Sequence, residues 1–295
     1  MNTNINTNTK HKIWIIPLVM AVIMLILALM IFGQAAANDN AEDGFLPFVG
    51  HAGTFRYNNV YIFGVSLYTA MHILGMIVGF VFAIFLRGRF SMSLPKLMIV
   101  AVIYYIQAIY GAKLLFAVQT CMRREDFTHW DFGGLSVYGA FFSTILLTPL
   151  IALIVRVKIK NTYDLVAFLS LIFLSFSRTG CYFAGCCGTP LTFVNDHPVH
   201  FPIQLIEVSF DFAILALCLW YNGQQRTPGK KYVGMFPLLY LCYTPIRFIL
   251  EFWRTNPVTK LGITEAQIHS VILFAGALVM VALTKPEPEV SESVQ

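Results

Sequence analysis

Long apolar runs, each closed by a short cluster of charge, organise this chain. Residues 13–33 form the first run. Later runs cover Val60–Leu86, Leu97–Gln119, Gly134–Val155, Asp164–Gly185, Ile203–Trp220, Tyr232–Phe252 and Thr264–Leu283. About 20 mainly apolar residues cross a bilayer core as a helix, so the pattern predicts eight helical segments. The fold class is therefore all-α: a polytopic integral membrane protein with seven core transmembrane helices and one N-terminal helix or signal peptide. Lys10 and Lys12, an apolar stretch and Ala35-x-Ala37 have the form of a signal peptide, but the run is longer than most such cores and favours an uncleaved span. The expected divisions are this N-terminal segment (1–37), an outer loop (38–59), a membrane domain (60–284) and a disordered cytoplasmic tail (285–295).

Composition agrees with the pattern. Of 295 residues, 57% are apolar and only 12% charged, too few to coat a water-facing surface. The net charge of +5 is no sign of nucleic-acid binding, because the basic residues sit between apolar runs. Placing the N-terminus in the cytoplasm puts Lys10, Lys12, Arg87, Arg89, Lys96, Arg156, Lys158, Lys160, Arg226, Lys230, Lys231 and Lys285 inside. The positive-inside rule selects that orientation. Arg178, Arg247 and Arg254 then fall near the outer ends of two spans.

These three arginines carry the functional reading, since a guanidinium within a span costs several kcal/mol and needs a partner or a task. Tyr243, Arg247, Glu251 and Arg254 are spaced 4, 4 and 3 and share one helix stripe. Gln204, Glu207 and Asp211 share another. A purely structural reading has Arg247 and Arg254 neutralised by Glu251, and Arg178 by Glu207. The reading favoured here is an anion or phospholipid-headgroup site, because guanidinium forks match phosphate geometry. On the second run, Tyr68 and His72 are read as core residues beside the packing face Gly75-x-x-x-Gly79. Gly133-Gly-Leu-Ser-Val-Tyr-Gly139 opens the fourth span, where Ser136 and Tyr138 carry hydroxyls toward the site. Lys113 is a further cation that snorkels outward. Cys181, Cys186 and Cys187 permit three readings: apolar packing, a redox-active or structural disulfide that includes Cys121 as a partner, or metal ligation with His197 or His200. Metal ligation ranks last, because the spacing matches no zinc pattern, and no metal or cofactor is expected.

The ordered set of these motifs resembles the prolipoprotein diacylglyceryl transferase family. Tyr68 within Ser-Leu-Tyr-Thr-Ala-Met, Gly111-Ala-Lys, Gly133–Gly139, Ser177-Arg-Thr-Gly-Cys181, Pro202-Ile-Gln-Leu-Ile-Glu207 and Tyr243-x-x-x-Arg247-Phe-x-x-Glu251-Phe-x-Arg254 carry the likeness over roughly residues 60–284. It implies an inner-membrane enzyme that moves the diacylglyceryl group of phosphatidylglycerol onto the lipobox cysteine of prolipoprotein signal peptides at the periplasmic side. Arg178, Arg247 and Tyr138 become the catalytic expectation. Tyr68, Lys113, Gln204, Glu207, Tyr243, Glu251, Arg254 and Gly185 become the substrate-binding one, and Cys181, Cys186 and Cys187 a redox set. The chain departs from the family at Ser177 (usually Gly), Cys181 (Asn), Cys186 (Glu) and Tyr138 (commonly His). The other readings carried forward are a non-catalytic phospholipid-binding relative and a thiol-redox membrane protein. Further partners expected are membrane lipids.

Overall fold

The computed structural model describes residues 12–37, 61–62, 64–184, 186–187, 191–194, 197–223, 232–254, 256–259 and 261–284. Lys10, the expected loop 38–59, Gly185, Gly188, Arg226, Lys230, Lys231 and the tail from Lys285 lie outside these residues. The helices are α1 (Ile15–Ala37), α2 (Leu67–Phe85), α3 (Leu94–Arg124), α4 (Val137–Val155), α5 (Ile159–Phe183), α6 (Ile203–Asn222), α7 (Met235–Leu250) and α8 (Glu265–Ala282). Seven of them, α2 to α8 with the turn that follows α7, are long and apolar enough to cross a membrane. The expected spans and the observed helices coincide within a few residues, except that α2 starts only at Leu67 rather than Val60, α3 runs on to Arg124 and α5 starts earlier. Two short antiparallel hairpins were not foreseen: β1 (Tyr61–Ile62) with β2 (Val65–Ser66), and β3 (Leu191–Val194) with β4 (His197–His200). In the first, Gly64 takes φ +79, a conformation that side chains resist.

The chain divides into two compact units. One comprises Met1–Gly75 with Leu171–Gln295, the other Met76–Ser170. In the second unit, α3 and α4 cross closely. A Cβ on Gly139 would stand 2.2 Å from the Gly111 carbonyl oxygen, and one on Gly111 would stand 2.2 Å from Ser143 Oγ. Small residues allow this approach, which in lipid replaces the hydrophobic drive between helices. Polar bonds reinforce the crossing: Gln107 Nε2 donates to Thr144 Oγ1 at 2.9 Å, and the Ser136 N–H donates to Ala112 O at 3.0 Å. Pro149 inside α4 cannot donate to the carbonyl four residues back, Ile145. The Tyr163 hydroxyl donates to that oxygen at 2.9 Å, so the break is satisfied within the protein. Lys96 Nζ donates to Arg156 O at 2.9 Å, which ties the start of α3 to the end of α4.

In the first unit, α1 packs along α6, with Ala28 and Ile31 against Leu205 and Tyr182. α2 meets the end of α5 through glycine. A Cβ on Gly75 would lie 2.7 Å from Phe176 Cβ, and one on Gly180 would lie 3.2 Å from the Tyr68 carbonyl oxygen. α8 begins with a reciprocal cap. Thr264 Oγ1 accepts from the Gln267 N–H at 3.2 Å, and Gln267 Oε1 accepts from the Thr264 N–H at 2.9 Å. α6, α7 and α8 pack in sequence order.

The α3–α4 crossing yields a direct test. Gly139→Ala should lower stability by about 1–3 kcal/mol, because the backbone opposite cannot rotate away as a side chain would. The measurement is the thermal unfolding midpoint in detergent. A midpoint equal to that of the parent protein would contradict the crossing.

Candidate functional site

The stripe on α7 begins with Tyr243 and Arg247, both buried. After Leu250 the helix tightens into a single 3-10 turn, Glu251–Trp253, and Arg254 leaves it in extended conformation. Arg254 therefore departs from the α-helical stripe that its spacing suggested. Its Nη2 pairs with Glu207 Oε2 at 2.5 Å, while its Nε stands 3.9 Å from Glu251 Oε2. Arg247 pairs through Nη1 with Glu251 Oε2, one turn along.

Glu207 on α6 is the hub. Its Oε2 accepts a hydrogen bond from Arg254 Nη2 and stands in ion-pair range of Arg178 Nε at 3.1 Å, and its Oε1 lies 3.4 Å from Arg247 Nε. Three arginines from two separate stretches of chain thus converge on one carboxylate. Arg178, Arg247, Arg254, Glu207 and Glu251 are each between 2% and 8% exposed. Three guanidinium charges against two carboxylates leave one positive charge in the group. The purely structural reading foresaw the Arg247–Glu251 and Arg178–Glu207 pairs, and both form. It did not foresee that a single carboxylate would serve all three arginines.

The other expected site residues are placed as follows. Gln204, one turn before Glu207, is buried and donates from Nε2 to Cys186 O at 2.8 Å. Tyr243 lies within electrostatic range of Arg178. Tyr68 opens α2, and its ring meets that of His72 at a tilt of 51° with centroids 4.4 Å apart. Tyr138, at the start of α4, and Lys113, on an exposed part of α3, belong to the second unit. Tyr138 is buried and meets Phe141 edge-to-face. The proposed pairing of Cys121 with the cysteine trio is corrected: all six cysteines are free, and Cys121 is buried in α3 with its sulfur 3.7 Å from His129 O.

The cysteine trio is brought together. The Cys186 N–H closes onto Cys181 O at 3.1 Å as α5 ends, and the three sulfurs lie within 4.8 Å of one another. Hydrogen bonds from the Cys181 and Cys186 thiols hold the Cys187 thiol well below its ordinary pKa, with help from Arg178 and Arg254.

Two features had no reliable signal in the sequence. Asn256 Nδ2 donates to Glu251 Oε1 at 2.5 Å from beyond the helix, where periodicity carries no information. His72 is more than a core residue: Nδ1 donates to the Tyr68 carbonyl at 2.8 Å, which leaves Nε2 to accept from Ser177 Oγ at 2.8 Å. Ser177 adjoins Arg178, so the spacing of Tyr68, His72 and Ser177 was visible but not their meeting. Asp211 is buried one turn beyond Glu207, and its Oδ2 has no hydrogen-bond partner among the described residues.

Fold and site together define a polytopic membrane protein with a buried cluster of three arginines gathered around two glutamates. The prolipoprotein diacylglyceryl transferase family model matches residues 58–283, and the chain belongs to that family. Among curated relatives, it is 28% identical over 244 residues to phosphatidylglycerol–prolipoprotein diacylglyceryl transferase 2 of Clostridium perfringens, covering 76% of this chain and 93% of that protein. It is 27% identical to the Clostridium tetani phosphatidylglycerol–prolipoprotein diacylglyceryl transferase, covering 66% and 84% of the two chains. It is 29% identical to the enzyme of the same name from Francisella tularensis subsp. novicida, covering 54% and 63%.

The hub is testable without any assay of activity. Glu207→Gln should cost about 3–5 kcal/mol, because it leaves buried arginines without their shared counter-charge. Glu207→Gln combined with Arg254→Gln should cost less than the sum of the two single changes. Denaturation of all four proteins measures the coupling, and strict additivity would refute the shared pairing.

Proposed function

We propose that this protein transfers the diacylglyceryl group of phosphatidylglycerol to the lipobox cysteine thiol of prolipoproteins, forming a thioether and releasing glycerol phosphate. Family membership and the names of its relatives support the reaction class. The observation that carries the reading to these residues is the arginine group gathered on Glu207, with its one uncompensated positive charge. A phosphodiester carries one negative charge, so the group is matched to it. In the reaction, the bond between the diacylglyceryl carbon and the phosphate oxygen breaks, and charge gathers on the departing phosphate. Fixed cations in a site poor in water stabilise that charge without reorganising.

Arg178 and Arg247 are the phosphate clamp, with Glu251 and Arg254 setting their orientation. Tyr68, Gln204, Glu207 and Tyr243 form the polar wall for the headgroup, and the family resemblance adds Gly185 to the substrate-binding set. The family resemblance adds Tyr138 as a catalytic residue and Lys113 as a substrate-binding one. The unit of function is the membrane domain over residues 60–284. The chain resides in the bacterial inner membrane with its N-terminus in the cytoplasm and the site toward the periplasm. The distribution of basic residues supports this orientation, as does the Lys96–Arg156 contact, which joins two clusters assigned to the same side.

Purified protein in detergent, given labelled phosphatidylglycerol and a lipobox peptide, should form the thioether product. Failure of folded protein to do so, beside an active transferase as control, would refute the reading. Arg247→Lys should reduce the rate about 100-fold or more while largely preserving the unfolding midpoint, because an ammonium cannot make the forked contact. Rescue of a strain depleted of its own transferase gives the same answer in cells.

A further inference from the structure

The cysteine trio has no part in the phosphate clamp, yet among the described residues it is a cluster of ligand atoms close enough to share a metal ion. Three sulfurs from one seven-residue stretch lie within 4.8 Å of one another. A three-thiolate site with metal–sulfur bonds of about 2.3 Å places its sulfurs about 4 Å apart. The trio therefore needs only sub-ångström adjustment to surround an ion. A disulfide fits less well: neighbours in sequence have Cα atoms about 3.8 Å apart, short of the roughly 4.4–6.8 Å that a disulfide spans, which removes Cys186–Cys187.

The backbone holds the three in place from two directions. The Cys186 N–H is bonded to Cys181 O at 3.1 Å, and Gln204 Nε2 reaches Cys186 O at 2.8 Å. Cys187 occupies φ +58, a left-handed conformation that costs a non-glycine residue about 1–2 kcal/mol. Strain of this kind is kept where the surroundings impose it, and such places are often functional. Cys187 is exposed, which supplies a route in for an ion, whereas Cys181 is buried. Arg178 is in electrostatic range of Cys181 and Cys187, and Arg254 of Cys187. Three thiolates around a divalent cation carry one net negative charge, and these guanidiniums lie within electrostatic range of it. The sequence ranked metal ligation last because C-x-x-x-x-C-C matches no zinc spacing; the turn at the end of α5 brings together what that spacing does not announce.

We propose that Cys181, Cys186 and Cys187 bind one thiophilic divalent cation of the zinc class and leave a coordination position for a fourth sulfur. Resting on the transferase reading, that sulfur is the substrate's lipobox thiol. Its proton passes to water as the sulfur binds the cation. The sulfur lone pair then forms the new carbon–sulfur bond while the carbon–oxygen bond to phosphate breaks, its electron pair leaving on glycerol phosphate. No oxidant or reductant takes part.

Cobalt(II) titration of the reduced, metal-stripped full chain in detergent tests the site without any turnover. A sulfur-to-cobalt charge-transfer band should saturate at one ion per chain and disappear on addition of zinc. Cys181→Ser, Cys186→Ser and Cys187→Ser should each weaken binding at least about tenfold, with Cys242→Ser unchanged. Absence of the band in the parent protein would overturn the site, as would a band that survives all three variants or a thiol pair recovered only by reductant. The two proposals fail separately. A cobalt site in a protein that makes no thioether refutes the reaction alone, and undiminished thioether formation by metal-free protein refutes the role of the cation.

Discussion

Glu207 held in ion-pair range of three guanidinium groups is the interaction on which the site depends. A carboxylate has two oxygens and about four lone-pair positions, so it can serve several donors at once. In the membrane interior an unpaired guanidinium is expensive, and three near one point repel one another strongly. The shared carboxylate removes most of that cost while leaving a residual positive charge. α5, α6 and the end of α7 are thereby committed to a single relative arrangement, because each supplies a partner that the others need.

The elements around the hub are shaped to allow this. The α-helix of α7 gives way to a 3-10 turn at Glu251, which swings Arg254 off its own stripe and onto α6. Gly180 and Gly75 let α2 approach the end of α5 closely, placing His72 on Ser177, the neighbour of Arg178. Asn256 and Gln204 engage lone pairs that the arginines do not reach. The polar groups are thus linked across helices rather than along one, and such networks hold their geometry only when nearly every member is satisfied.

The chemistry assigned to the protein asks for charge held still more than for a mobile acid or base. In the proposed reaction the leaving phosphate presents its charge at one depth, and arginines already pinned by carboxylates would meet it without reorganisation. The cysteine turn beside them adds nucleophilic sulfur within range of the same cations. Anion and thiol chemistry are therefore adjacent in one short segment, from Ser177 to Cys187.

Much of the architecture was legible in the sequence, since a span is a local sum of hydropathy over about 20 residues and needs no partner to be recognised. Seven spans, the membrane class and the motif order all followed from that local pattern, as did the Arg247–Glu251 pair at helical spacing. What the sequence could not disclose lay between elements. Periodicity reports the angle of a residue about its own helix axis; it is silent on which neighbouring helix faces it and at what distance. Glu207 as hub, Arg254 leaving its stripe, His72 meeting Ser177, and three cysteines converging at the end of α5 all depend on helix crossings and chain reversals. Those were decided by tertiary packing, through glycine contacts and the pairing of the buried arginines with Glu207 and Glu251.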